Sequence, residues 1–336
     1  MFKTLTCTYR VTAFVEKSMN TRQHFFLFLI SLFFFLSVTL FSKEKEVILE
    51  DDKQIVNAMG YGHAFIYGLV EGVTEFLPIS STGHLVLVRE YLSSEEKNKE
   101  ALNAYLIVIQ AGAILAVTLI YRKQVLSMIL GFLGFDPRGK RLALLVLTAF
   151  VPAAVLGPIF DKNIETYLFG LLPIAIALAL GALLMLWAER RRNSEQSNRI
   201  LDQGKTLEDL TFKNSFIIGI MQCVAMCPGT SRSMMTIVGG YVVGLQRKKA
   251  AEFSFLLGLV TLTAAAAYKV LTKWSVMEAN LSIGPVFFGC LIAGISAALS
   301  VFWLVNYLSR NGLMLFVWYR MALSLIIFII YFNTIG

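Results

Sequence analysis

Polar side chains are concentrated in residues 68–85, inside an otherwise apolar surrounding. The stretch reads GLVEGVTEFLPISSTGHL, and it contains Glu71, Glu75, Ser80, Ser81, Thr82 and His84. Glu71 and Glu75 are four residues apart and therefore share one face of a helix. An ionised carboxylate at the bilayer centre costs about 2.5–3.5 kcal/mol on insertion scales. Such a pair requires a water-filled cavity, a cation or a basic partner.

A second polar stretch, MQCVAMCPGTSRSMMTIVGG at residues 221–240, contains a basic partner. Arg232 lies between Ser231 and Ser233 and closely follows Gly229. A guanidinium has paired donors, and a glycine-containing backbone has free N–H groups, so the combination suits a phosphate group. The two stretches together predict an oxyanion site.

These residue types could hydrolyse a phosphate ester or a diphosphate. That reaction requires in-line attack, neutralisation of the equatorial oxygens and protonation of the leaving group. His84 could be nucleophile, base or acid, or Ser81 could attack with His84 as its base. From the residues alone, a phosphate-type transporter is an almost equally good interpretation, because intramembrane carboxylates are typical of transporters. A purely structural role in helix packing is a weaker interpretation, since so many polar residues occur together.

The composition predicts an integral membrane protein. Of the 336 residues, 57% are hydrophobic and 15% are charged, whereas a soluble domain carries about 25% charged residues. The net charge is +8. In membrane proteins Lys and Arg are concentrated in cytoplasmic loops, which accounts for this charge, so a nucleic-acid partner is not expected. Cys223 and Cys227 lack the further ligands of a zinc set and are expected to be unreactive.

The N-terminal part is an extension of a larger membrane domain. Residues 24–41 form an apolar run with basic residues before it and acidic residues after it. This pattern predicts an uncleaved anchor with its N-terminus inside, and a cleaved signal is the alternative. The division is therefore an extension over 1–55 and a membrane domain over 56–336.

About six further transmembrane helices are predicted from apolar runs of spanning length. The runs cover residues 101–121, 142–160, 167–187, 253–271, 283–308 and 313–332. Basic residues place the loops 122–141 and 189–213 on the cytoplasmic side.

Two apolar regions start and end on one side and must be hairpins or re-entrant elements. Region 58–91 is broken at Pro78 and region 216–245 at Pro228 and Gly229. A shift of 151 residues aligns the two regions, and the aligned pairs include Gly68 with Gly219, Glu71 with Gln222, Val73 with Val224 and Ser80 with Ser231. Since loop charge makes them enter from opposite sides, we expect an inverted-topology repeat with its site near the midplane. The fold prediction is an all-α polytopic membrane protein.

The motifs GLVEGVTEFLPISSTGHL and PGTSRSMMT resemble the two signature regions of the bacterial undecaprenyl-diphosphate phosphatases of the bacitracin-resistance type. IQAGAILAV at 109–117, EFSFLL at 252–257 and the pair Tyr319-Arg320 also match. The resemblance runs from about residue 61 to the C-terminus. It implies hydrolysis of undecaprenyl diphosphate to undecaprenyl phosphate and phosphate, which recycles the lipid carrier for cell-wall polymers. A flippase role is the alternative.

The resemblance also implies roles for individual residues. The catalytic residues are Glu71, Glu75, Ser81, His84 and Arg232; the phosphate-binding residues are Ser80, Thr82, Gly229, Ser231, Arg232, Ser233 and Thr236. Glu71 and Glu75 are the implied ligands of a divalent cation, Mg²⁺ or Ca²⁺. The implied location is the bacterial cytoplasmic membrane, with the site opening to its outer face. Oligomeric state stays open, with a homodimer as one candidate.

Two departures from the family pattern occur. Met234 and Met235 replace small residues after the Ser-Arg-Ser, which could narrow the cavity near the phosphate. Val260 replaces a proline after EFSFLL, which should affect helix shape more than chemistry.

Overall fold

The computed structural model describes residues 60–92, 99–195 and 204–335. Its helices are α1 (Tyr61–Glu75), α2 (Ser81–Leu92), α3 (Lys99–Ile120), α4 (Arg122–Phe132), α5 (Pro137–Leu168), α6 (Leu171–Glu195), α7 (Phe212–Val224), α8 (Arg232–Val242), α9 (Arg247–Asn280), α10 (Ile283–Asn311) and α11 (Met314–Ile335). The predicted N-terminal anchor and the boundary near residue 55 lie outside the described residues.

Six helices in the described part of the chain are long and apolar enough to cross a membrane. Their spans are Leu102–Ile120, Pro137–Asp161, Leu171–Ser194, Arg247–Thr272, Ile283–Asn311 and Met314–Asn333. Each overlaps one of the predicted apolar runs, because an apolar stretch of about 20 residues has no other stable state in a bilayer. The prediction of an all-α polytopic membrane protein is confirmed.

The segment 122–141, interpreted as a loop, contains the helix α4. Its basic first residues resemble a cytoplasmic loop, but Met128 and Gly131 are buried where α4 packs against α5. Asp136 then caps α5, accepting hydrogen bonds from the backbone N–H groups of Arg138 and Gly139, each at 3.0 Å. The interpretation as a loop was wrong because tertiary contacts with α5 stabilise a helix that would be too short by itself.

Both predicted interruptions lie inside short helix pairs. α1 ends at Glu75 and α2 begins at Ser81, while α7 ends at Val224 and α8 begins at Arg232. The residue before each second helix is a serine with left-handed backbone, Ser80 at φ 76° and Ser231 at φ 74°. Each serine Oγ accepts a hydrogen bond at 3.3 Å from the N–H three residues later, which caps the helix that follows.

Further correspondences occur at the same spacing of 151 residues. A Cβ at Gly68 would lie 2.6 Å from the Gly289 carbonyl oxygen, and one at Gly219 would lie 2.4 Å from that of Ala149. These contacts match the packing of α1 on α10 and of α7 on α5, where small residues let helices approach closely. The two interruptions thus share local geometry, while their opposite orientation in the membrane stays a prediction.

The cap at Asp136 predicts a pH-dependent contribution to stability. The Ser127 hydroxyl, followed by the Gly139 N–H, holds the Asp136 pKa below its usual value. A lowered folded-state pKa stabilises the fold above the unfolded pKa of about 3.9, and this stabilisation is lost as pH falls through the folded pKa. We expect Asp136→Ala to lower the melting temperature in detergent at pH 7, with a gap to wild type that closes towards pH 2. A gap independent of pH would contradict the assignment.

Candidate functional site

An ion pair joins the two broken regions. Arg232, the first residue of α8, donates from Nη2 to Glu75 Oε1 at 2.9 Å, and the side chains are 11% and 6% exposed. Its Nη1 donates to the Ser254 carbonyl oxygen at 3.2 Å, and the guanidinium lies 5.3 Å from the centre of the Phe76 ring. The predicted partnership between the acidic stretch and Arg232 is therefore present in the structure, at the end of α1.

The second oxygen of Glu75 accepts a hydrogen bond from Ser81. Ser81 Oγ lies 2.7 Å from Glu75 Oε2, so one carboxylate contacts both the candidate nucleophile and the guanidinium. A carboxylate in this position can accept the proton of the hydroxyl when the oxygen attacks. The structure pairs Ser81 with Glu75 and not with His84, which was the base considered from the sequence.

His84 is bound by Ser80, the residue before α2, and by Tyr319 of α11. Its Nδ1 lies 2.7 Å from the Ser80 carbonyl oxygen, and its Nε2 lies 2.6 Å from Tyr319 Oη. A carbonyl oxygen can only accept, so the contact with Ser80 places a proton on Nδ1, while Tyr319 Oη, which can donate or accept, is the partner of Nε2. Both ring nitrogens of His84 are therefore engaged with protein groups.

Glu71 lies one helical turn before Glu75 and is 2% exposed. Its Oε1 accepts a hydrogen bond from Gln110 Nε2 on α3 at 3.3 Å, and its Oε2 accepts none from a described residue. Mg²⁺ is often bound by one or two carboxylates together with substrate phosphates, and this pair fits that pattern. Across the described ranges no group of three or more His, Cys, Asp or Glu residues could hold a metal. The assignment of a cation to Glu71 and Glu75 stays a prediction.

The hydroxyls of the second stretch bind protein groups. Ser233 Oγ donates to the Leu77 carbonyl oxygen at 2.7 Å, which ties the second broken region to the first. Thr236 Oγ1 lies 2.6 Å from Ser254 Oγ, and Ser231 Oγ lies 3.1 Å from Ser233 Oγ. These contacts engage the hydroxyls of three predicted phosphate ligands, near Arg232 in the sequence, with other protein groups.

The remaining predicted residues differ in their surroundings. Ser80 is buried and caps α2, whereas Thr82 is partly exposed and its hydroxyl bonds to no residue that the structure describes. Gly229 has φ 92°, and its carbonyl oxygen accepts a hydrogen bond from Arg320 Nη2 at 2.9 Å. The structure brings all predicted residues to the two breaks, and their individual roles stay predictions.

Several residues at the site had no role assigned from the sequence. Gln110 and Tyr319 bind predicted catalytic side chains, and Gly258 makes room for Arg232, since a Cβ there would lie 2.1 Å from Nη1. Arg320 is fully buried and is the one charged residue of α11. A charge inside a membrane helix is a functional-site signal, so Arg320 could have been selected from the sequence, whereas Gly258 could not.

The structure accommodates the two departures from the family pattern, at Met234 and Met235 and at Val260. Met234 and Met235 are 0% and 2% exposed and belong to the main hydrophobic core. α9 continues through Val260 from Arg247 to Asn280 without a break, as expected where a valine stands in place of a proline.

Comparison with known proteins shows matches over most of the chain. The sequence model of the family described as bacitracin resistance protein BacA matches residues 64–326. Undecaprenyl-diphosphatase 2 of Shewanella oneidensis is 42% identical over 268 residues, covering 79% of this chain and 96% of the relative. Undecaprenyl-diphosphatase 2 of Rhodospirillum rubrum is 42% identical over 264 residues, covering 79% and 92%. Undecaprenyl-diphosphatase of Ectopseudomonas mendocina is 42% identical over 265 residues, covering 79% and 91%.

The burial of the Glu75–Arg232 pair predicts strong energetic coupling. Removing one partner leaves an uncompensated buried charge, which costs about 3–5 kcal/mol, whereas removing both costs much less. We therefore expect Glu75→Gln and Arg232→Met each to lower the free energy of unfolding in detergent, and the double variant to recover much of the loss.

The partly exposed pair Lys269–Asp161, at 2.7 Å with side chains 27% and 37% exposed, is the matched control. Its double-mutant cycle should give a coupling of at most about 1 kcal/mol. Equal coupling energies for the two pairs would contradict the buried, functional character of Glu75–Arg232.

Proposed function

The chain belongs to the bacitracin resistance protein BacA family, and we propose on this basis that it hydrolyses undecaprenyl diphosphate to undecaprenyl phosphate and phosphate. The reaction returns the lipid carrier to cell-wall polymer synthesis and confers bacitracin resistance. The observation that carries the proposal is the junction of Ser81, Glu75 and Arg232, in which nucleophile, base and anion ligand meet at the two helix breaks. The loop charges support a site that opens to the outer face of the bacterial inner membrane.

We propose Ser81 as the nucleophile. Its oxygen attacks the terminal phosphorus while Glu75 accepts the hydroxyl proton, and the bridging P–O bond breaks with its electron pair leaving on undecaprenyl phosphate. Water then hydrolyses the phosphoserine and releases phosphate. The 2.7 Å contact between Ser81 and Glu75 supports this assignment over one in which His84 is the base. His84 as nucleophile is the alternative that the experiment below separates.

The charges at the site support a requirement for a divalent cation. Two carboxylates lie one turn apart, and Arg232 compensates one of them, so a diphosphate anion meets repulsion from the other. Glu71 and Glu75 would hold Mg²⁺ or Ca²⁺, which would neutralise phosphate oxygens. Arg232 has further donors in its planar guanidinium and binds phosphate oxygens as the charge on them develops.

A second candidate function is transport of a polyprenyl phosphate through the same site. It is favoured by one observation, the matching left-handed serines and helix caps at the two breaks, because paired broken helices are typical of transporters. Purified protein in vesicles separates the functions. Phosphate release from undecaprenyl diphosphate supports hydrolysis, whereas movement of labelled lipid between leaflets without phosphate release would replace it.

Replacement of the junction residues should strongly lower phosphate release. We expect Glu75→Gln to lower kcat about 10²–10⁴-fold through loss of the base, and Arg232→Lys to lower it about 10²–10³-fold through loss of a group that stabilises transition-state charge. Release should be measured on reconstituted protein at saturating substrate and in the presence of Mg²⁺ or Ca²⁺. Wild-type rates in both variants would exclude the site.

The nucleophile can be identified by its covalent intermediate. Protein quenched during turnover and analysed by mass spectrometry should carry phosphate on Ser81, and Ser81→Ala should carry none. A phosphate found on His84, under a quench that preserves phosphohistidine, would show that the imidazole attacks instead.

Gly258 provides a test that leaves every polar residue in place. Alanine at this position would push the Arg232 guanidinium away, and displacement of a catalytic group by about 1 Å can cost about 10²-fold in rate. We expect Gly258→Ala to lower kcat/KM by about that factor. The control is Gly170→Ala immediately before α6, where the atom nearest to the added Cβ is 3.4 Å away. Similar activity in the two variants would contradict the role of Arg232's position.

A further inference from the structure

Arg320 is a buried cation without a carboxylate partner. It is 0% exposed, and within the described ranges no Asp or Glu forms an ion pair with it. Three of its N–H groups, on Nε and Nη2, donate to backbone carbonyl oxygens instead. Nε lies 3.3 Å from Leu178 O, and Nη2 lies 3.2 Å from Ala177 O. The same Nη2 donates to the Gly229 carbonyl oxygen at 2.9 Å. Arg320 therefore connects α6 with the second break.

The second break depends on the position of Gly229. Gly229 has a left-handed φ of 92°, and a Cβ would lie 2.7 Å from the Ile174 carbonyl oxygen. The loop is thus pressed against α6 and held there by Arg320. Three residues later, Arg232 begins α8 and pairs with Glu75. Holding the Gly229 peptide in place therefore fixes the position at which α8 begins, and with it the position of Arg232.

The preceding residue on α11 contacts the first break. Tyr319 Oη lies 2.6 Å from His84 Nε2, and the two rings stack with centroids 5.7 Å apart and planes 10° apart. The Ser80 carbonyl oxygen accepts the hydrogen bond from Nδ1, so Tyr319 completes the hydrogen bonding of the imidazole and fixes the orientation of its ring.

We propose that Tyr319 and Arg320 form a positioning pair: two consecutive residues of α11 that hold the two half-sites in register, Tyr319 through His84 and Arg320 through Gly229. This inference rests on the proposed function. An apolar side chain in place of Arg320 would avoid the desolvation of a buried charge, so filling space does not require an arginine here. What an apolar side chain cannot supply is three donors to carbonyl oxygens on two separate segments.

Gly181 allows the arginine to be moved without being replaced. It lies on α6 under the guanidinium, and a Cβ there would be 2.2 Å from Arg320 Nη2. The experiment therefore uses Tyr319→Phe, Arg320→Lys and Gly181→Ala. The controls are Tyr331→Phe on α11 and Gly170→Ala immediately before α6. Each variant is purified and reconstituted, and kcat and KM are measured for undecaprenyl diphosphate.

Kinetics should show coupling to the site. We expect Tyr319→Phe to lower kcat about tenfold with little change in KM, as for the loss of one hydrogen bond, and to cause no further loss in a His84→Gln background. Gly181→Ala and Arg320→Lys should lower kcat/KM about tenfold or more, non-additively with Arg232→Lys. Losses that multiply independently in these double variants would show that the pair supports only the fold.

A spectroscopic measurement separates this inference from the proposed function. The chain has three histidines, so ¹⁵N-histidine labelling in micelles with His84→Gln for assignment isolates the His84 signals. We expect Tyr319→Phe and Gly181→Ala to shift the Nε2 resonance and the two controls to leave it in place. Unchanged His84 resonances in Tyr319→Phe and Gly181→Ala would overturn the positioning pair even if the enzyme is active. Shifted resonances with no phosphate release by wild type would support the pair and reject the proposed hydrolysis.

Discussion

The structure depends on one constraint: each charged group within this apolar chain must lie beside a polar or charged partner. Glu75 and Arg232 satisfy each other at 2.9 Å, but only because two distant helix breaks bring them together. A buried charge without its partner is far more costly than the pair, so any arrangement that separates the breaks is strongly disfavoured. The same contact that holds the fold together also places a guanidinium and a carboxylate side by side at the proposed phosphate site.

The breaks themselves require special backbone. Irregular backbone at membrane depth is tolerated only where protein or a wet cavity satisfies it. Here serine hydroxyls cap the helices that follow, and Ser233 donates to Leu77 of the opposite region. The left-handed serines at φ 76° and 74° each cost on the order of 1–3 kcal/mol, a cost typical of functional sites. Both serines are buried, so the surrounding structure maintains the strain.

Two glycines in this molecule make room for arginine side chains. Gly258 lies against Arg232, and Gly181 lies against Arg320. A guanidinium is planar and wide, and within close-packed helices it fits only where the neighbouring helix lacks a side chain. The architecture thereby combines close helix packing with two tightly enclosed guanidinium groups, one of which lies at the proposed anion site.

The sequence by itself determined the helical membrane fold, the six long apolar helices and the two breaks. These depend on local composition and on proline and glycine, whose effects do not need distant contacts. The motif residues also identified Glu71, Glu75, Ser81, His84 and Arg232 as candidates. The helix α4 was not predicted, because its stability comes from packing on α5. Only the tertiary structure decided that Ser81 pairs with Glu75, that His84 pairs with Tyr319, and that Arg320 holds Gly229. These partners lie up to 235 residues apart, and no local pattern encodes which of several polar groups will lie within hydrogen-bond distance once the helices pack.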